Sequence, residues 1–236
     1  TVLPPMDYIW KILPEHFLLY KPKDIVSGDF YYIDQLHDKT VVAVADCTGH
    51  GVPGAFMSLL GLNLTKETIH EHKLSSASQL LNVLRSKVIE TLHQKGVEEE
   101  VPEGIDMALC IIDEKNMKLQ FAGALSHIYV VRSGELLEQK GDRMSLCINK
   151  GPLKPFSNHL IDLQKGDIIY LSTDGFPDQL SGKNRKKFLR SRFKETLRKV
   201  GTYPFEEQKQ RLEKIFNDWK GDHEQVDDVL VMGIKI

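Results

Sequence analysis

Short apolar segments rich in β-branched residues recur along the whole chain, and two pairs of amphipathic helical segments interrupt them. The segments "HFLLYKP", "SGDFYYIDQL", "TVVAVADC", "DMALCIID", "KLQFAGALS", "IYVVRSG", "HLIDLQ", "DIIYLSTDG" and "DDVLVMGIKI" read as strands. Clusters of Gly, Asp, Asn and Lys separate most of them, which favours antiparallel neighbours. The helical pairs are "VPGAFMSLLGLNLTKETIHEHK" with "QLLNVLRSKVIETLHQK", and "KKFLRSRFKETLRKV" with "PFEEQKQRLEKIFNDWK". Leu80, Leu81, Leu84, Val88 and Leu92 fall on one helical face, and the face from Phe56 through Met57, Leu59 and Leu60 reads as core. Strand runs with helices inserted in pairs predict an α+β fold of two packed sheets with helices outside. "QFAGALSHIYVVRSGEL" reads as a hairpin and "GVEEEVPEG" as an exposed acidic loop.

A chain of 236 residues, 41% hydrophobic, can bury one large core or two small ones. Lys plus Arg (31) nearly balances Asp plus Glu (33), so the net charge of -2 offers no electrostatic footprint for nucleic acid or an anionic membrane. Cys47, Cys110 and Cys147 stand far apart, which excludes a CxxC zinc knuckle and points to a reducing, cytoplasmic setting. No apolar stretch reaches transmembrane length. Residues 1–12 read as the remnant of an N-terminal linker, which implies an upstream domain.

The chemistry is concentrated in aspartates at strand ends. Asp46 lies between the apolar "TVVAVA" and the glycine-rich "CTGHGVPG", Asp29 follows Ser27 and Gly28, Asp174 closes "IIYLSTD", and Asp227 with Asp228 opens the last strand. A carboxylate at the end of a core strand is costly unless compensated. Singly, each is explained as a turn or cap residue; together they suit a hard divalent cation, since converging carboxylates repel unless a cation sits among them.

The order and wording of "SGDFYYI", "VADCTGHGVPGAFMS", "FAGALSHIYVVRSGEL", "LQKGDIIYLSTDGF" and "VDDVLVMGIKI" resemble the SpoIIE-type branch of the PPM (type 2C-like) metal-dependent serine/threonine phosphatases. The resemblance runs from about Leu13 to Ile236. It implies an αββα sandwich of two antiparallel sheets flanked by helices, with a phosphatase domain over residues 13–236. It also implies two Mn²⁺ or Mg²⁺ ions. Asp46 would bridge them, the backbone carbonyl of Cys47 would bind one, Asp174 and Asp227 would hold the second, and Asp29 would act through a bound water. Asp228 is ranked as a neighbour of Asp227, with the two exchangeable. His50 reads either as a proton donor or phosphate contact or as a brace of the glycine turn; Lys23 reads as phosphate-binding or as a surface lysine. His127 reads as structural.

Two cations lower the pKa of a shared water and neutralise phosphoryl oxygens, so the implied chemistry is direct hydrolysis of phosphoserine or phosphothreonine by metal-bound hydroxide. No cysteine is followed by Arg at the sixth position, so a thiol phosphatase loop is absent. The family implies a phosphoprotein substrate of the anti-sigma-antagonist kind in bacterial signalling, an upstream sensor domain and a possible homodimer. It implies neither nucleic-acid binding nor membrane insertion. The chain departs from its relatives at "GDRMSLCINKG", which carries Ser145 and Cys147, at "AGALSH", and in the basic run from Lys183 to Lys187, which reads as a solvated loop. A binding module without activity and a phosphoesterase acting on nucleotides are the rival readings.

Overall fold

The structure, a computed structural model, describes residues 3–72, 76–96, 103–148 and 152–236. In chain order the first half comprises α1 (Met6–Ile12), β1 (His16–Lys21), β2 (Phe30–Leu36), β3 (Lys39–Cys47), α2 (Gly51–Glu71), α3 (Ala77–Thr91), β4 (Ile105–Asp113) and β5 (Lys118–Ala124). The second half comprises β6 (His127–Arg132), β7 (Glu135–Lys140), β8 (His159–Asp162), β9 (Ile168–Ser172), α4 (Gly175–Asp178), α5 (Arg190–Val200), α6 (Phe205–Lys220) and β10 (Val229–Lys235). The strands form two five-stranded sheets, ordered β2-β3-β4-β5-β8 and β1-β10-β9-β6-β7. Every adjacent pair is antiparallel. This is the α+β sandwich the strand pattern calls for.

The two-residue alternation of each strand builds the layers. Val42 and Val44 of β3, Ala108 and Cys110 of β4, and Leu230 and Met232 of β10 meet between the sheets. Val41, Ala43 and Ala45 of β3 turn the other way, onto Leu80, Leu81, Leu84 and Val88 of α3. Behind the second sheet, Tyr170 and Val231 pack on Phe193, Leu197, Leu212 and Phe216 of α5 and α6. Central strands buried on both faces explain why they read as continuous apolar runs. α3 is opened by a capping box: Ser76 Oγ accepts from the Gln79 N–H and Gln79 Oε1 accepts from the Ser76 N–H.

The expected linker residues include α1, whose Ile9 is buried with Leu13 in the inter-sheet core. Most of "GVEEEVPEG" lies outside the described residues. Three expectations are corrected. β5 and β6 do not form a hairpin; they belong to different sheets, and only β6 and β7 pair through the "RSGE" turn. The chain crosses between sheets at Leu125–Ser126, where Leu125 takes φ 50° and the Leu125 N–H donates to Asp142 O at 2.9 Å while the Asp142 N–H donates to Gly123 O at 2.8 Å. Phe56 and Leu59 of α2 are exposed, at 70% and 40%, because the helix packs on the sheet through Met57, Gly61, Leu62 and Leu64 instead. Finally, α5 begins at Arg190 rather than near Lys186: the Phe188 N–H donates to Gln179 O and the Leu189 N–H to Pro177 O, which returns this segment onto α4 before a helix can start. Among the described residues no helix is long and apolar enough to cross a membrane.

Candidate metal centre

At one end of the sandwich the interior alternation runs past the last apolar residue and places carboxylates there. Asp46 continues the interior series of Val42 and Val44, Asp106 that of Ala108 and Cys110, and Asp29 that of Tyr31 and Ile33. Asp46 and Asp106 are cross-strand partners. Because β9 and β10 pair with Ser172 opposite Val231, Asp174 and Asp227 leave the facing sheet at the same end. Asp46, Asp106, Asp174 and Asp227 thus line one cleft of about 350 Å³, with Cys47 and His50 on its wall. The turn after Asp46 must be glycine: Gly49 has φ 91°, and a Cβ on Gly54 would stand 2.2 Å from the Gly49 carbonyl oxygen.

The remaining predicted residues sit behind or beside this cleft. Asp29 is buried, and its Oδ2 accepts the Thr173 hydroxyl at 2.7 Å, which joins the two sheets. The Asp228 carboxylate accepts two backbone N–H groups, from Lys23 at 2.7 Å and Gly28 at 2.8 Å. Asp228 therefore ties the approach of β2 to that of β10, and Asp227 is the member of the pair that faces the cleft. His50 has Asp24 Oδ2 at 3.1 Å from Nδ1 and the Lys23 ammonium at 2.9 Å from Nε2. An ammonium can only donate, so Nε2 accepts and the Nδ1–H points to Asp24.

From these contacts Asp228→Asn is expected to cost about 2–3 kcal/mol, the range for hydrogen bonds to a charged acceptor, while Asp227→Asn leaves the urea midpoint near wild type and removes the thermal stabilisation by Mn²⁺. The opposite pattern in the same two titrations would exchange their roles.

Electrostatics mark the cleft as short of positive charge. Burial, reinforced by Asp29, Asp174, Asp227 and Asp106, pushes Asp46 up to about 10. Burial raises Asp29 well above the carboxylate range, with Asp228, Asp227 and Asp174 adding to it against the Thr173 hydrogen bond. Asp106 is raised by burial and by Asp174. Asp174 opens to solvent, yet the protein around it, Asp178 and Asp227 raise it as well. None of the described salt bridges engages these carboxylates. Among the described residues no three acidic, histidine or cysteine side chains stand at metal-ligand spacing. At Asp174 an interaction with Asp46 works against that rise, as a proton between the two carboxyls would relieve their repulsion. A set of hard oxygen donors that repel one another unless protonated fits a Mg²⁺- or Mn²⁺-type cation.

Asp106 is absent from the sequence-based candidates. Its signal is present in "DMALCIID", where the acid keeps the parity of the interior residues Ala108, Cys110 and Ile112. Only the pairing of β3 with β4 shows that this parity places it beside Asp46.

Comparison with known proteins agrees with this geometry. Residues 37–236 match the family described as Stage II sporulation protein E (SpoIIE). Among solved structures, the SiaA PP2C domain of Pseudomonas aeruginosa superposes with a TM-score of 0.89 at 30% identity, covering 100% of this chain and 91% of that one. The PP2C phosphatase domain and regulatory fragment of SpoIIE from Bacillus subtilis match with a TM-score of 0.76 at 16% identity, over 94% of this chain and 63% of that one. The PPM Ser-Thr phosphatase MsPP from Mycobacterium smegmatis, solved with cacodylate, gives 0.64 at 16% identity, over 95% and 99%. The last two likenesses speak for the fold alone. No curated protein matches the sequence. With the family matched over most of its length and the acidic cleft at the end of the same sandwich, this chain belongs to the SpoIIE family of PPM metal-dependent serine/threonine protein phosphatases.

Proposed function

We propose that the domain, over residues 13–236, removes phosphate from phosphoserine or phosphothreonine on a regulatory protein of bacterial signalling, of the anti-sigma-antagonist kind. The observation that carries this reading is the convergence of Asp46, Asp106, Asp174 and Asp227 on one cleft. Asp46, Asp174, Asp227 and the Cys47 carbonyl would hold two Mn²⁺ or Mg²⁺ ions, with Asp29 behind them. When bound, such ions supply charge neutralisation for a phosphate dianion and acidify water.

The chain's own residues do the rest. Asp228 and Thr173 fix the loops that present the carboxylates, so their spacing is set before substrate arrives. His50, bridged between Asp24 and Lys23, holds the wall of the cleft, and Lys23 brings positive charge to a rim where a phosphate would pass. Fold relatives that include SpoIIE and a protein of the bacterial stressosome support a regulatory phosphoprotein as substrate. The test is phosphate release with added Mn²⁺ from a phosphoserine protein, a nucleotide and single-stranded DNA in parallel. Selective release from the phosphoprotein is expected. Faster release from a nucleotide would replace this reading with that of a nucleotide phosphoesterase, and no release with no Mn²⁺ binding would make the domain a binding module.

A further inference from the structure

A second cavity, of about 230 Å³, shares Asp46, Asp106 and Asp174 with the cleft, but its outer wall has the opposite character. Arg190, His127 and Ser126 line it there. Arg190 is the first residue of α5, and the other basic side chains of that helix are engaged. Arg192 lies 4.2 Å over the Trp219 ring, Lys194 is 2.9 Å from Glu138, and Arg198 and Lys199 pair with Glu195 at 2.9 and 3.4 Å. Among the described residues Arg190 has no side-chain ion pair, hydrogen bond or ring contact of its own.

Its place is nonetheless set. Phe188 and Phe193, both buried, anchor the chain on either side, each packed against Phe176. Between them Leu189 takes φ 74° and ψ 144°, a conformation that a leucine disfavours. It is held there by its N–H on Pro177 O at 2.8 Å and its carbonyl on the Phe193 N–H at 3.0 Å. The strained link turns the chain so that the helix starts at Arg190, with the guanidinium at the cavity. Burial lowers the pKa of His127, which leaves a neutral ring beside the cation.

We propose that this cavity is an oxyanion subsite in which Arg190 grips an oxyanion of the phosphorylated substrate, with His127 and Ser126 as neutral hydrogen-bonding partners. It rests on the phosphatase reading above. The planar guanidinium fork matches phosphate and carboxylate oxygens alike, so the oxyanion is either the phosphoryl group itself or an acidic side chain next to the phosphorylated residue. The preset backbone keeps the ordering cost of that grip low.

The test compares wild type, Arg190→Ala and Arg190→Lys with Mn²⁺ on three substrates: a phosphoserine peptide with acidic flanks, one with neutral flanks, and an aryl phosphate. Arg190→Ala is expected to raise KM for the acidic peptide about tenfold while kcat stays within about twofold, and Arg190→Lys to recover part of the loss. An equal rise on all three substrates assigns the oxyanion to the phosphoryl group, and a rise confined to the acidic peptide assigns it to the flank. Unchanged KM on all three overturns the subsite. A calorimetric titration with inorganic phosphate separates this failure from that of the phosphatase reading. If wild type hydrolyses nothing yet binds phosphate about tenfold more tightly than Arg190→Ala, the subsite stands and the enzymatic reading falls; an inactive wild type that binds phosphate no more tightly than Arg190→Ala overturns the subsite.

Discussion

Asp46→Asn is expected to lower Mn²⁺-dependent phosphate release by about 10³-fold or more, roughly 4 kcal/mol of transition-state stabilisation, and Asp174→Asn to do nearly as much. Asp46 continues the interior series of β3, with Asp106 opposite it on β4, and it lines the same cleft as Asp174 and Asp227, so its charge is shared by the whole group. The same substitution has an opposite effect on the metal-free protein. Asp46 is raised to about 10 in the folded state, against an unfolded value of about 3.9. Between those limits the folded chain binds a proton that the unfolded chain has released, so stability from this group falls as pH rises from about 4 towards 10. Asparagine has no such proton to lose. In chelator, Asp46→Asn should therefore unfold at higher urea than wild type at neutral pH, with the gap closing towards pH 4. With Mn²⁺ the order should reverse, because a site loaded at about 100 times its Kd stabilises wild type by about 2.7 kcal/mol. Full activity in either variant would remove these carboxylates from the centre.

Gly175→Ala should be the most damaging small substitution in the chain. A Cβ at this position would lie 1.8 Å from the Asp228 carbonyl oxygen and 2.9 Å from its carbonyl carbon. Those are backbone atoms at the entry to β10, and they cannot move aside without breaking the two hydrogen bonds that the Asp228 carboxylate accepts from Lys23 and Gly28. Overpacking against backbone costs about 3 kcal/mol or more. Because Gly175 follows Asp174 directly, the displacement also reaches the cleft, so the urea midpoint and the Mn²⁺-induced thermal shift should drop together. A wild-type midpoint would show that α4 and β10 have slack where the structure has contact.

Much of the architecture is legible in the chain because burial on one or both faces of a strand writes itself into alternation or into a continuous apolar run. "TVVAVADC" is a strand by its pattern and in the fold, and the amphipathic face of Leu80, Leu84 and Val88 finds its sheet. Side-chain periodicity records which face is buried, but it is silent on which neighbour does the burying. That is why "QFAGALSHIYVVRSGEL" reads as one hairpin although the chain changes sheets at Leu125, and why Phe56 and Leu59 read as core although α2 turns them to solvent.

The aspartates divide in the same way. Apolar strands that stop at Asp46 and Asp174, and others that start after Asp29 and after Asp227 and Asp228, are facts of sequence alone, and so is the kind of cation that such oxygens suit. The convergence of those residues depends on antiparallel pairing, which brings the end of β3 beside the start of β4 and the end of β9 beside the start of β10. Only that pairing adds Asp106 to the group, turns Asp228 to the backbone and Asp227 to the cleft, and sets Arg190 across a cavity from Asp46, because contacts between residues more than a hundred positions apart leave no local period for a sequence to show.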